Sequence, residues 1–371
     1  MKPKTGALCN IVAMIEIAVV ALGVAVAKAD STYVTLDPPG SVFTQAHAIN
    51  PAGDIVGVYE DSSNGVHGFL RAPDGIFTTF DAPGAEGTNA YSINPAGAIA
   101  GFYLDSGHVV HGFLRTPDGT ITTIDAPGAI TAPVPGPIAF GTFAFNINPA
   151  GAIAGEYEDN NIVNHGFLRA PDGTITTFDA PGAGTGSGQG TFTATICGIN
   201  PKGAIAGTTI DDNGALNHGF VRAPDGTIIE FEVPGAGTGP GQGTNSAGIT
   251  PAGTIPGIFI DSSGVNHGFV RAPHGTITTF DVPGAGTDAG QGTLPQNINP
   301  AGDIAGNYID ARNVSNGFVR TAQGDITKFH VPDAGTDAGQ GTFPLCNNPA
   351  DAITGYYIDA SGVFHGFLRT P

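Results

Sequence analysis

One short phrase, an Asn or Thr followed by Pro and then Ala or Lys, returns seven times along this chain, with its proline at Pro51, Pro95, Pro149, Pro201, Pro251, Pro300 and Pro349. The intervals are 44, 54, 52, 50, 49 and 49 residues. A repeat of that length that reads as strands matches a propeller blade; helical repeats are shorter, and β-helix coils much shorter. Composition supports the strand reading. Gly 58 and Pro 29 approach a quarter of the 371 residues, and both residues break helices and punctuate hairpins. Charged residues are 12% of the chain, about half the usual share, which argues against long solvated helices. Hydrophobic residues at 40% keep it out of the disordered class.

The third repeat displays the expected architecture. A first strand ends at Phe145-Asn146-Ile147 and turns at Asn148-Pro149-Ala150-Gly151. The second runs from Ala152 to Glu158 and is followed by a polar loop, Asp159 to Asn164. A third, His165-Gly166-Phe167-Leu168-Arg169, turns at Ala170-Pro171-Asp172-Gly173 into a fourth, Thr174 to Asp179. Proline presets φ early in each turn and glycine supplies the left-handed residue that closes it.

The seventh repeat stops after its third strand, at His365-Gly366-Phe367-Leu368-Arg369-Thr370-Pro371. Near the other end, Tyr33-Val34-Thr35-Leu36-Asp37-Pro38-Pro39-Gly40 matches a fourth strand that has no repeat of its own. Joining the two leftovers removes two sheet edges. The expected fold is therefore all-β: a seven-bladed β-propeller of four-stranded blades, residues 30–371, closed by the N-terminal strand completing the last blade.

These units resemble the HAF-type extracellular repeats of bacterial exported proteins. The resemblance rests on Ile49-Asn50-Pro51-Ala52-Gly53-Asp54-Ile55-Val56-Gly57 and His67-Gly68-Phe69-Leu70, and it extends over residues 31–371. The chain departs from the family in having Gly for its Ala, Arg for its usual Trp, and Asp-Ala-Pro-Gly at the last turn. The resemblance implies an exported bacterial β-repeat protein and carries over no catalytic residue.

Residues 1–29 have the layout of a cleaved signal peptide: basic Lys2 and Lys4, an eleven-residue apolar run from Ile17 to Ala27, and Ala27-Lys28-Ala29 as the cleavage site. The run is short of the ~20 residues a membrane span needs. The mature chain is expected to be soluble, without a membrane span, monomeric, and secreted or periplasmic. Removing Lys2, Lys4, Lys28 and Glu16 from 13 basic and 32 acidic residues leaves 10 against 31, a net charge of −21. Such a chain is repelled by nucleic acid. Only Cys197 and Cys346 remain after cleavage, too few for a disulfide framework.

His67, His111, His165, His218, His267 and His365 hold one position in six repeats, too far apart to share a metal ion. Counting back from the Pro-Asp-Gly turn sets His165 against Asp179, Gly166 against Phe178, His218 against Glu232, Asn316 against His330, and His365 against Asp37. The reading is structural: cross-strand imidazole–carboxylate pairs. Arg71, Arg115, Arg169, Arg222, Arg271, Arg320 and Arg369 also recur once per repeat, with the turn Asp as a local partner.

A ligand is expected on the face that carries the Asp-rich loops and the glycine-rich connections between blades. Gln189, Gln242, Gln291 and Gln340 on those connections are the candidate binding groups, weighed against service as plain connectors. No cofactor, metal site or catalytic group is expected. Asp211-Asp212-Asn213-Gly214 and Asp261-Ser262-Ser263-Gly264 lack the alternating ligands of a calcium loop, and Glu156 with Glu158 is the nearest approach to paired carboxylates. The leading expectation is a binding or scaffold protein for an unknown small molecule, glycan or protein. The alternatives are a lyase or hydrolase acting on an extracellular polysaccharide, or a structural component of the cell envelope.

Overall fold

Each repeat folds as its turn residues dictate. In the third, the strands Phe140–Ile147, Ile153–Glu158, Asn164–Arg169 and Ile175–Phe178 pair successively and antiparallel. Gly151 and Gly173 close its two tight turns at φ of 86° and 95°, a conformation that costs glycine nothing. The computed structural model describes residues 31–133, 139–194, 197–212 and 216–371. The expected signal segment and Asn213-Gly214 of one Asp-rich loop lie outside the described residues. The described chain is all-β, with 28 strands and no helix, and Ser31–Pro371 forms one compact body. Among the described residues, no helix is long and apolar enough to cross a membrane.

The last repeat pairs Gly341–Asn347, Ile353–Ile358 and Phe364–Thr370 in order. Its fourth strand is Thr32–Leu36 from the start of the chain, in antiparallel register from Thr32↔Thr370 to Leu36↔Gly366. Adjacent repeats are joined where the third strand of one meets the first strand of the next in parallel, as at Asn164↔Gly190 and Asn266↔Gly292.

A ring of asparagines links the repeats at their proline turns. Asn148 Oδ1 accepts the N–H groups of Ala150 and Ala152, capping its own turn, while Nδ2 donates 3.1 Å across to the Asn200 carbonyl. The same crossing runs from Asn50 to Asn94, Asn94 to Asn148, Asn200 to Thr250 and Asn299 to Asn348. Asn348 then donates 3.1 Å to the Asn50 carbonyl, returning to the start. Thr250 caps its turn through Oγ1, accepting from Thr254 N–H at 2.9 Å, but has no amide to send onward. Thr250→Asn is expected to add the missing crossing and raise stability by about 0.5–1.5 kcal/mol. A comparison of denaturation midpoints checks this; an unchanged or lower midpoint contradicts it.

The core lies between meanders. Phe69, Phe113, Phe167, Phe220, Phe269, Phe318 and Phe367, one per third strand, are fully buried. They pack on second-strand glycines: a Cβ on Gly155 would lie 2.7 Å from the Phe167 ring and would also meet the Phe143 carbonyl. The recurrent arginines do more than serve their own turns. The guanidinium of Arg115 lies 4.7 Å from the ring centre of Phe80, Arg222 4.9 Å from Phe178, and Arg271 4.8 Å from Phe231, each on the preceding repeat. This cation–π contact ties neighbouring meanders together. A threonine early in each first strand receives an N–H from the connection before it, as Thr142 Oγ1 does from Ala126. Thr44 is the exception, with a buried Oγ1 that has no partner. Pro38 occupies the matching position and has no N–H to give.

Candidate functional site

The recurrent histidines are structural. Nδ1 of His165 lies 2.8 Å from Asp179, that of His218 2.8 Å from Glu232, and that of His365 2.7 Å from Asp37. A second acid stands on the far side in several repeats, such as Asp61 at 3.4 Å from His67 Nε2. The rings stack on the second strand, with Tyr157 and His165 centred 5.0 Å apart. The sixth repeat departs from this pattern. His330 Nε2 donates to the Ala334 carbonyl and Asn316 Nδ2 to the Val314 carbonyl, so each side chain uses nearby backbone rather than the other.

For His67, burial pulls the ring's pKa down, but the hydrogen bonds and charges of Asp81 and Asp61 outweigh it and hold it above its ordinary value. A raised imidazole stabilises the fold fully below its unfolded pKa, about 6.5, and that contribution is lost as pH rises through the folded value. Asp81 is half exposed, so solvent screening keeps the effect below about 1 kcal/mol. Melting midpoints between roughly pH 6 and 8 should decline less in His67→Gln than in the parent; equal slopes contradict the assignment.

The four glutamines each bond their own connection and the hairpin loop beyond it. Gln189 Oε1 accepts Gly186 N–H at 2.7 Å, and Nε2 donates to the Asp212 carbonyl. Gln242 makes the matching bonds to Gly239 and Ser262, and Gln340 to Asp337 and Ala360. Gln291, almost fully buried, accepts from Asp288 and donates to Asn313 Oδ1 at 2.9 Å. Both ends of each amide staple a connection to the hairpin loop of the following repeat. The Asp-rich loops likewise use their carboxylates locally: Asp261 Oδ1 accepts the N–H groups of Ser263 and Val265.

The repeats diverge elsewhere, in one cross-strand pair and in first-strand positions beyond it such as His47, Tyr91, Phe145, Gln296 and Leu345. The second strands read Ile-Val-Gly-Val-Tyr, Ile-Ala-Gly-Phe-Tyr, Ile-Ala-Gly-Glu-Tyr, Ile-Ala-Gly-Thr-Thr, Ile-Pro-Gly-Ile-Phe, Ile-Ala-Gly-Asn-Tyr and Ile-Thr-Gly-Tyr-Tyr. The fourth position differs in every one. Its partner on the first strand varies with it, giving Gln45–Val58, Asn89–Phe102, Phe143–Glu156, Phe192–Thr208, Asn245–Ile258, Leu294–Asn307 and Phe343–Tyr356. Most of these side chains are only half-buried. No charge run or sequence motif marked this band; aligning the repeats on their second strands would have exposed it.

Aromatic rings gather along the band. Tyr91 lies 4.4 Å from the ring of His47 and 5.1 Å from Phe145, while Phe102 meets Phe143 edge-on at 4.9 Å. His47 Nδ1 donates to the Ala90 carbonyl, and burial, acting against that bond, lowers its pKa to about 4, so the ring is neutral. Glu156 is the contrasting group. Burial pushes its carboxyl up to about 8, with the charge of Glu158 adding to the rise and a 3.0 Å hydrogen bond from Thr193 N–H opposing it. At neutral pH Glu156 is mostly an uncharged acid, able to donate as well as accept. Burial, and then the nearby Glu156 charge, hold Tyr91 above its ordinary range. Thr193 also lines a cavity of about 310 Å³ between repeats four and five, together with Phe192, Thr208, Asn245 and Ser246. At the proline-turn end of the ring, isoleucines and the seven prolines line a smaller cavity of about 170 Å³. Among the described residues, no three His, Cys, Asp or Glu side chains gather as metal ligands.

No family model and no curated protein matches the chain. Two solved structures of a puromycin hydrolase align with it at TM-scores of 0.51 and 0.50 and 12% identity. They cover 88% and 89% of this chain, which spans 55% of their length. The lectin BP39L from Burkholderia pseudomallei aligns at a TM-score of 0.48 and 11% identity, over 88% of this chain and 95% of its own. At such identities the likeness to the hydrolase is one of fold.

Proposed function

We propose that this is an exported repeat-propeller binding protein, akin to the HAF-type extracellular repeats its units resemble. In this reading the seven meanders are four-stranded blades in a ring closed by the N-terminal strand. The ligand is a neutral carbohydrate or a similar polyhydroxylated molecule. It enters from the face bearing the connections and binds at the cavity between repeats four and five.

The observation that carries the reading is the divergence of a cross-strand band among repeats that all keep the proline turn and the buried third-strand phenylalanine. Framework positions answer to packing, which is alike in every repeat; a band that differs in each has been released from that demand. Its content suits a neutral, hydroxyl-rich ligand. Phe192 offers a ring face for C–H groups, Asn245 and Thr208 offer amide and hydroxyl groups, and protonated Glu156 presents no charge. The cavity reaches the lower end of ordinary ligand-pocket volumes, about 300 Å³. An acidic chain favours neutral over anionic ligands.

The test is a glycan array probed with the mature chain, followed by calorimetric titration of any hit. Phe192→Ala and Asn245→Ala are each expected to weaken binding at least about tenfold, the loss of roughly 1.4 kcal/mol. Glu156→Gln should retain it, and affinity of the parent should fall above pH 8 as Glu156 ionises, while that of Glu156→Gln should not. Absence of binding to every glycan, or binding indifferent to both Phe192→Ala and Asn245→Ala, overturns the proposal.

One observation favours a second reading, an enzyme acting on an extracellular polysaccharide: a carboxyl with a pKa near 8 is suited to general-acid work. Release of reducing ends or unsaturated products from a polysaccharide panel, abolished in Glu156→Gln, would establish it in place of simple binding.

A further inference from the structure

The two cysteines of the described chain belong to different repeats, the fourth and the seventh, 149 positions apart. Both line the cavity at the proline-turn end of the ring, together with Ile49, Ile93 and Ile147. Cys346 is almost fully buried in the core cluster formed by Ala48, Ile49 and Ile93, and Cys197 packs against that cluster half-buried. The two side chains thus share one cavity and one apolar cluster. Asn297 Nδ2 donates to Cys346 Sγ at 3.2 Å. Cys197 sits at a left-handed φ of 52°, uncommon for a residue with a Cβ, and Ile249 N–H donates to its carbonyl at 3.0 Å.

We propose that Cys197 and Cys346 are an oxidation site, closing to a disulfide that staples the fourth repeat to the seventh when the protein meets a low-molecular-weight disulfide. Cys197 is the more exposed thiol and reacts first. The Cys346 thiol and burial hold the Cys197 thiol above its ordinary range, so the attack is slow and runs through a small thiolate fraction. That thiolate attacks one sulfur of oxidised glutathione: a Cys197–glutathione bond forms, the reagent's S–S bond breaks, and one glutathione leaves with the proton that Cys197 gave up. Cys346 then attacks Cys197 Sγ, breaking the mixed bond and releasing the second glutathione with its own proton. Two protein thiols lose two electrons and one glutathione disulfide gains them. The donor beside Cys346 suits it to the second step. The Asn297 amide, which donates to Cys346 Sγ, remains beside it once Cys197 has been capped. A bond joining such distant positions removes much of the freedom of the unfolded chain.

The experiment uses the full chain carrying Cys9→Ser, treated with oxidised glutathione, alkylated in denaturant and digested without reductant. The expected product is one linked peptide pair containing Cys197 and Cys346, lost on reduction. The oxidised protein should melt several degrees higher than the reduced one. In Cys346→Ser the reaction should halt at a stable Cys197–glutathione adduct. Recovery of both cysteines alkylated, or accumulation of that adduct with Cys346 intact, overturns the proposal without reference to the variant.

Discussion

A chain that begins at Ser41, lacking the strand Thr32–Leu36, is expected to lose its sharp thermal transition or to melt far below the intact protein. The removed strand makes a five-residue ladder with the last repeat. It carries Leu36, fully buried, and Asp37, whose carboxylate holds His365 at 2.7 Å. Ser31 Oγ accepts from Arg369 Nη2 at 2.6 Å and goes with it. Burial of one leucine alone contributes about 1.5–3 kcal/mol, a large part of a total stability of roughly 5–15 kcal/mol. The edge of Phe364–Thr370 would then face water with unpaired backbone groups, a template for pairing between copies. Calorimetry and size-exclusion chromatography read both effects. A synthetic peptide of residues 31–40 should restore the transition by adding the strand in trans. A truncated chain that melts with the parent would refute closure by this strand.

The second large effect is expected from Phe167→Ala. The ring is fully buried against Gly155, which has no side chain to fill the space left behind. Truncating a buried phenylalanine costs about 3–5 kcal/mol, transfer and cavity together. For a domain of this size that lowers the melting midpoint by roughly 5 °C if unfolding is two-state. Phe269→Ala should cost a similar amount, because stacked repeats contact mainly their neighbours and the site is equivalent. Thr176→Ala, at an exposed position of the adjoining strand, should change little. A loss below about 1 kcal/mol at Phe167 would show that the meanders repack freely around the gap.

Some relations were legible because they lie within one hairpin. Gly166 opposite Phe178 and His165 beside Asp179 follow from the turn type and a side-chain period of two. His365 beside Asp37 followed from the same count applied to the two ends of the chain. The same rules also set Asn316 against His330, as the register of Gly317 with Phe329 agrees, yet each side chain bonds nearby backbone, since register sets which residues face each other but not which partner each prefers. They picked out Glu156 only as the neighbour of Glu158, because its raised pKa depends on what the fold buries around it.

The sequence by itself therefore determined the all-β character, the seven repeats and the register inside each. These are properties of turns and alternation, which act over a few residues. Tertiary structure alone decided what happens between repeats. It laid Arg271 over Phe231, sent Asn148 across to Asn200, used the four glutamines to staple loops, and set Cys197 and Cys346 on one cavity. The angle and distance at which one meander packs on the next set these contacts. Those come from the summed volumes of buried side chains around the whole ring, not from any local spacing.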